Sequence, residues 1–201
     1  MMTKAVLLGG NGYLGRNVTD HWLKADPQVE FYVVSRSGKN QLQDPRIHNL
    51  TADVTDYDAV AKLIPTDVDY IVDFVGAPEK DPEKFKRLND QPATIMLHLA
   101  QSHHVKKMGF IAGSLGPKTF IAGSLGPKTF IKGKQQIIKK LQQSGISLAV
   151  VSPTLVYGNG RRDDMTRWVP LLKVLGIFNK KFRPVDVNDV ANDLIKQLQK
   201  G

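Results

Sequence analysis

Short apolar, β-branched runs alternate with stretches of helical period along the whole chain. Runs at 4–8, 31–35, 47–51, 69–75, 107–112 and 146–151 predict strands. Stretches at 13–24, 56–64, 92–103 and 134–143, with a last one over roughly 187–199, predict helices. Strand and helix in alternation mark a parallel sheet covered on both sides, so the pattern predicts an α/β fold: a doubly wound, Rossmann-like parallel sheet with helices on both faces. Asp56 stands where it caps the second helix, and Pro65 closes it. Pro92 occupies a first helical turn, where a missing N–H costs nothing. His103 and His104 follow the third helix beside Lys106 and read as a helix end. No second ligand stands at helical spacing, so no metal is expected.

One feature interrupts the pattern. Residues 111–120, Ile-Ala-Gly-Ser-Leu-Gly-Pro-Lys-Thr-Phe, recur unchanged as residues 121–130. Solenoid repeats have longer periods and accumulate differences, so a perfect single copy reads as a recent duplication and not as an architecture. Residues 110–112 and 120–122 are equally suited to the fifth strand, with the other copy left as loop.

A chain of 201 residues, 41% hydrophobic and 23% charged, suits a single domain over residues 1–201. No stretch approaches the ~18 uninterrupted apolar residues of a membrane span, and no basic-then-apolar leader opens the chain. A cytoplasmic protein with no membrane partner is therefore expected. The absence of cysteine excludes disulfides, thiolate catalysis and cysteine-bound metals. Lys and Arg number 28 against 19 Asp and Glu, a net charge of +9. These cations are scattered in short groups with no recognition motif, which fits an anionic small molecule better than nucleic acid. Composition leaves the oligomeric state open.

The chemistry begins at Gly9-Gly10-Asn11-Gly12-Tyr13-Leu14-Gly15, between the first strand and the first helix. A strand turning sharply into a helix needs a residue without Cβ at the turn. It needs another where backbone approaches phosphate oxygens, and a third where helix packs on strand. Gly9, Gly12 and Gly15 are spaced for those tasks, and the helix N-terminus offers N–H groups and a positive dipole end to the anion. Asn11, Tyr13 and Leu14 lie between them. The segment predicts a dinucleotide pyrophosphate cradle.

Four further segments follow in order: Thr51-Ala52-Asp53-Val54, Val72-Asp73-Phe74-Val75-Gly76-Ala77, Ser152-Pro153-Thr154-Leu155-Val156-Tyr157-Gly158-Asn159-Gly160-Arg161, and Val185-Asp186-Val187-Asn188-Asp189-Val190-Ala191. With the glycine turn they make the chain resemble an extended or atypical short-chain dehydrogenase/reductase, of the NAD(P)-binding epimerase-like and NmrA-like kind. The resemblance implies that Asp53 and Val54 meet the adenine, that Val75, Gly76 and Ala77 lie beside the ribose, and that Pro153 belongs to the sixth-strand cofactor motif. Cofactor choice is read after the second strand, at Ser35-Arg36-Ser37-Gly38-Lys39. No carboxylate stands there for a ribose 2′-hydroxyl, while Arg36 offers a planar fork to a 2′-phosphate. NADP is expected over NAD.

In reductases of this family a serine after the fifth strand holds the substrate carbonyl, a tyrosine delivers a proton, and a lysine four residues later binds the nicotinamide ribose. The resemblance places the serine at Ser114 or Ser124 and the lysine at Lys134. Phe130 stands at the tyrosine position and has no proton to give. Lys134 falls on one helical face with Ile137, Ile138 and Leu141, so a charge heads an apolar stripe, in what is expected to be the first helical turn. Such a lysine either serves function or snorkels at the helix end. Tyr157, structural in the resembling motif, and Tyr13 are weaker substitutes for the proton donor.

Residues 161–182 form the reduced substrate-side segment, too short for the nucleotide-sugar domain of epimerases. Arg161, Arg162 and Arg167 there suit an anionic substrate or an acidic partner. Two readings follow. One is an NADP-dependent oxidoreductase acting on a small carbonyl or quinone-like substrate. The other is a non-catalytic NADP-binding redox sensor or regulator that keeps the cradle without the proton donor.

Overall fold

The computed structural model describes residues 2–112, 126–162, 166–178 and 183–200, with the backbone alone described at 126–129 and 178. Strands β1 (Thr3–Leu8), β2 (Val29–Ser35), β3 (Ile47–Thr51), β4 (Tyr70–Asp73), β5 (Lys107–Ile111) and β6 (Ser147–Val151) form one sheet in the order β3-β2-β1-β4-β5-β6. Every pairing is parallel. The chain winds outward from β1 in one direction and from β4 in the other. A crevice therefore opens between their C-terminal ends, where connections leave to opposite sides.

The strands are buried on both faces, and alternation along each one sorts the core. From β1, Val6 and Leu8 point to one side, with Val34, Ile71, Met108 and Phe110. That side is covered by α2 (Tyr57–Ala61), α4 (Gln91–Ser102) and α5 (Gly126–Gln142), through Val60, Met96, Leu99, Ile137 and Leu141. Ala5 and Leu7 point to the other side, with Phe31, Val33 and Val72. There α1 (Tyr13–Ala25) contributes Val18 and Trp22, and α7 (Val187–Gln199) contributes Val190, Leu194 and Leu198. Each such large side chain stabilises the fold by roughly 1.5–3 kcal/mol on burial. The predicted doubly wound α/β architecture is the one observed.

Local signals explain several boundaries. The Asp56 carboxylate accepts a hydrogen bond from the Ala59 N–H at 3.0 Å and starts α2. Helix α2 stops at Ala61, earlier than the expected 56–64. Asp81 caps α3 (Pro82–Phe85) in the same manner, and α3 runs through a π-turn (Lys86–Asp90) into α4. This wide turn carried no signal in the apolar pattern.

Helix α5 also departs from expectation. It begins at Gly126, not near 134, so Lys134 sits well inside the helix and not in its first turn. The first decapeptide copy supplies the end of β5 at Ile111, and residues 126–130 of the second copy open α5 instead of forming loop. Pro127, at the second position of this helix, has the fixed φ that a first turn accepts. Beyond β6 come β7 (Val156–Tyr157), a 3₁₀ turn (Thr166–Trp168), α6 (Val169–Phe178) and β8 (Val185–Asp186), which pairs with β7. Among the described residues no helix is long and apolar enough to cross a membrane.

Candidate functional site

The glycine turn lies at the crevice between β1 and β4. Gly9 has φ +71°, and a Cβ there would lie 2.7 Å from Val75 Cγ2. Gly15 brings α1 against the turn itself: its Cβ would lie 2.4 Å from the Gly10 carbonyl oxygen. Gly12 has only the Gly9 oxygen near, at 3.4 Å, so the surface above it is open. Gly12 is also the N-cap of α1, where no side chain bonds the helix end and no acidic residue stands in the first turn. The positive end of the helix dipole therefore faces the crevice, as a pyrophosphate requires. Gly10, which the spacing argument passed over, packs tightly against Leu7 and Val33 and brings the turn close to the sheet.

The loop after β2 is tied to this turn. Asn11 Nδ2 donates to Ser35 Oγ at 2.6 Å, and the Gly38 N–H donates to the same oxygen at 3.1 Å. Ser37 Oγ accepts from the Lys39 N–H at 3.3 Å. The two serines thus shape the loop, while the Arg36 side chain is exposed. Asp53 is exposed beyond the end of β3, and Val54 beside it is buried. The Thr55 N–H and hydroxyl hold the Asp53 carboxyl below the usual carboxylate range, with Arg36 and Arg87 adding to that pull. Arg87, on the π-turn, is a second cation near this end that the sequence reading did not single out.

At the ends of β4 and β5 four groups converge. Lys134 is only 2% exposed, and its ammonium donates to the Val75 carbonyl oxygen at 3.3 Å. The same nitrogen lies 4.5 Å from the centre of the Phe110 ring and 5.9 Å from that of Phe130. Asn89, fully buried on the π-turn, donates from Nδ2 to the Ala77 carbonyl at 3.0 Å. A Cβ built on Gly76 would lie 2.6 Å from Asn89 Oδ1 and 2.7 Å from Lys134 Nζ, so both polar atoms border the same small space. Gly76 and Ala77 are exposed above them. Beneath lies Asp73, whose Oδ1 accepts from the Val75 N–H at 2.8 Å. Asp73 Oδ2 and Asn89 Oδ1 are buried with no partner among the described residues.

The electrostatics follow from burial. Burial pushes the Asp73 carboxyl up to about 6, against the pull of the Lys134 ammonium and the Val75 N–H. Burial lowers Lys134 from its ordinary range, and Asp73 opposes that shift. A cation with one long hydrogen bond and an acceptor with none, side by side under a glycine, make a polar pocket suited to hydroxyl groups of a ligand. The signal for Asp73 was a charge inside the apolar run 69–75. Asn89 had no signal, because only the π-turn aims it inward.

Phe130 lies one helical turn before Lys134 and meets Phe85 edge-on at 6.2 Å. Ser114 and Ser124 lie outside the described residues. Tyr13 is a bracket: its hydroxyl donates to the Gly158 carbonyl at 2.9 Å, and the Arg161 guanidinium lies 5.0 Å over its ring. Leu14 packs with the α1 side of the core. Tyr157 packs against Leu155, Val169 and Leu172, with Lys173 4.5 Å over its ring. Pro153 is buried at a cavity of about 870 Å³ between the end of β6, α6 and the start of α7, which Tyr157, Ile177, Arg183 and Asp186 also line. Among the described residues no cluster of His, Asp or Glu is arranged to hold a metal.

A six-stranded parallel sheet in this order, with a glycine-rich turn at the switch between β1 and β4, defines a Rossmann-type dinucleotide-binding protein. The model of the NAD dependent epimerase/dehydratase family matches residues 5–117, more than half of the chain, and the chain belongs to that family. No curated protein matches it in sequence. Several solved structures share its fold. The Bordetella bronchiseptica enzyme WbmH in complex with NAD+ is 14% identical over 98% of this chain and 72% of its own, with a TM-score of 0.70. ElxO with NADP bound is 16% identical over 100% of this chain and 92% of its own, with a TM-score of 0.73. The UDP-N-acetylglucosamine 4-epimerase from Methanobrevibacter ruminantium M1, in complex with UDP-N-acetylmuramic acid, is 15% identical over 100% of this chain and 74% of its own, also at 0.73.

Proposed function

We propose that this chain is an NADP(H)-dependent oxidoreductase acting on a small carbonyl or quinone-like substrate. The observation that carries the reading is Lys134: a nearly fully buried ammonium, with one hydrogen bond of 3.3 Å, bordering the space beside Gly76 at the sheet crevice. When bound, the dinucleotide supplies a hydride to the substrate carbon. Gly9, Gly12, Gly15 and the α1 N-terminus hold the pyrophosphate, and Asn11 sets the loop that carries Arg36. Arg36 and Lys39 receive the 2′-phosphate, with Ser35 and Ser37 holding that loop in shape. Asp53 and Val54 border the adenine. Lys134 and Asn89 hold ribose hydroxyls, beside Val75, Gly76 and Ala77, and Pro153 bounds the nicotinamide side. With Phe130 in place of a phenol, water or the hydroxyl of Ser114 or Ser124 supplies the proton that the substrate oxygen takes up. The segment 161–182 leaves room for a compact substrate and not for a nucleotide sugar.

Phe130 supports a second reading, a non-catalytic NADP-binding sensor, because a ring that packs on Phe85 conserves shape and gives up proton transfer. One experiment separates them. NADPH oxidation is followed with a panel of quinones and aldehydes, alongside a fluorescence titration of NADPH and NADH. Turnover above background with any acceptor supports the reductase. Tight NADPH binding without turnover supports the sensor, and the absence of binding overturns both.

A further inference from the structure

Three consecutive residues after β7 have positive φ: Gly158 at +113°, Asn159 at +42° and Gly160 at +75°. Glycine accepts that region freely and asparagine tolerates it, but such a run persists only where its surroundings hold it. Helix α1 holds it here. The Tyr13 hydroxyl donates to the Gly158 carbonyl at 2.9 Å, and Asn159 Nδ2 donates to Asn17 Oδ1. Asn17 in turn donates from Nδ2 to the Tyr13 carbonyl at 2.7 Å. On its other side the loop rests on α7, because Asn159 Nδ2 also reaches Asn188 Oδ1 at 3.0 Å. That oxygen lies 2.8 Å from His21 Nε2, again on α1.

Tyr13 therefore faces two ways. It is the first residue of α1, directly after the Gly12 N-cap, in the turn whose backbone N–H groups point toward an anion at the helix start. An anion seated there fixes the first turn of α1. The side chain of the same residue fixes the loop 158–160, and the Arg161 guanidinium lies 5.0 Å over its ring. At Arg161 the chain enters the segment that leads to α6. One residue thus joins the anion-binding end of α1 to the chain that departs for the substrate side.

We propose that Tyr13 is a positioning residue that couples occupancy of the glycine turn to the placement of residues 158–162. The dinucleotide pyrophosphate fixes the start of α1, and Tyr13 and Asn17 carry that order to the loop from which the substrate-side segment departs. This coupling rests on the reading of the turn as a pyrophosphate cradle. It uses the Tyr13 hydroxyl as a donor to a carbonyl and needs no proton transfer from it. Cofactor binding then prepares the substrate side before a substrate arrives, which puts the dinucleotide first in the binding order. Coupling of this kind is reciprocal, so whatever loosens the loop weakens cofactor binding.

The test uses the purified full chain with and without saturating NADPH or NADH, whichever a titration shows to bind more tightly. Hydrogen–deuterium exchange is read at the backbone amides of residues 156–162. In the wild type the cofactor is expected to slow exchange there by at least about threefold. Tyr13→Phe keeps the ring under Arg161 and removes the hydroxyl bond, whose worth corresponds to about two- to tenfold. The variant should exchange faster by that factor without cofactor, lose most of the cofactor-induced slowing, and bind the cofactor correspondingly more weakly. Asn159→Gly keeps access to positive φ and should act in the same direction; it carries the test alone if thermal unfolding shows that Tyr13→Phe does not fold. Slowing that the variants leave intact would mean that these bonds only hold structure, and no slowing in the wild type would mean that the cofactor does not reach the loop. Either result overturns the coupling and leaves the proposed function standing, whereas failure to bind either dinucleotide overturns both.

Discussion

The ammonium of Lys134 reaches from the middle of α5 to the end of β4 and donates a hydrogen bond to the Val75 carbonyl at 3.3 Å. Burial disfavours its charge, and only Asp73 offsets that cost electrostatically. A buried cation held by one long hydrogen bond and a single carboxylate is retained for a ligand more readily than for stability. Lys134→Met keeps the length and removes the charge. It is expected to weaken NADPH binding about tenfold to a hundredfold, the worth of a charged hydrogen bond, and to lower thermal stability more above the Asp73 titration range than below it, because the buried carboxylate loses its counter-charge. Fluorescence titration beside thermal unfolding checks both; unchanged affinity would remove Lys134 from the site.

Asp73 makes stability depend on pH in a defined window. Its carboxyl is raised from 3.8 to about 6 in the fold. Between those values the native state holds more protons than the unfolded chain, so stability falls as pH rises from about 4 to about 6 and stays lower above. Moving a carboxyl from 3.8 to about 6 corresponds to roughly 3 kcal/mol. The carboxyls of Asp44, Asp67 and Glu79 are lowered, and their contributions have the opposite sign, lost as pH falls below about 4. Urea unfolding across this range should show the decline in the wild type and lose most of it in Asp73→Asn. A decline that persists in the variant belongs to another group.

Arg36 is exposed on the loop after β2, within electrostatic reach of Asp53. If it holds the 2′-phosphate, Arg36→Ala lowers NADPH affinity by about tenfold or more and leaves NADH affinity within about twofold. Equal losses for the two cofactors would mean that the residue contributes only general positive potential.

Gly15 is the point of closest approach between α1 and the glycine turn. An alanine methyl there would meet the Gly10 carbonyl oxygen at 2.4 Å, a backbone contact with no flexible side chain to yield. Gly15→Ala should destabilise the fold by about 1–3 kcal/mol and displace the helix end that faces the dinucleotide. Thermal unfolding and NADPH titration report the two effects together.

Removing either copy of the decapeptide yields the same protein, because the copies are identical. β5 starts at Lys107, ahead of the first copy, and the Lys134 half of α5 follows the second. The shortened chain keeps a phenylalanine four residues before the lysine. We expect it to fold and to bind NADPH with affinity within about threefold of the full chain, a difference under 1 kcal/mol. Loss of folding would show that the second copy is structural.

The amino-acid sequence by itself determined the alternation of strands and helices, their parallel arrangement, and the glycine turn at 9–15. These depend on local periodicity and on backbone freedom at single residues, which are written in neighbouring positions. Tertiary structure alone decided that Asp73, Asn89 and Lys134 meet beside Gly76. Their convergence requires β4 next to β5, a π-turn that turns Asn89 inward, and an α5 that starts early enough to bury Lys134. It also decided that, among the described residues, α6 packs through Val169 and Leu172 and leaves Leu171, Val174 and Ile177 exposed. An apolar stretch such as 168–178 looks the same in sequence whether it is covered on both sides or on one, and only the packing of its neighbours distinguishes them.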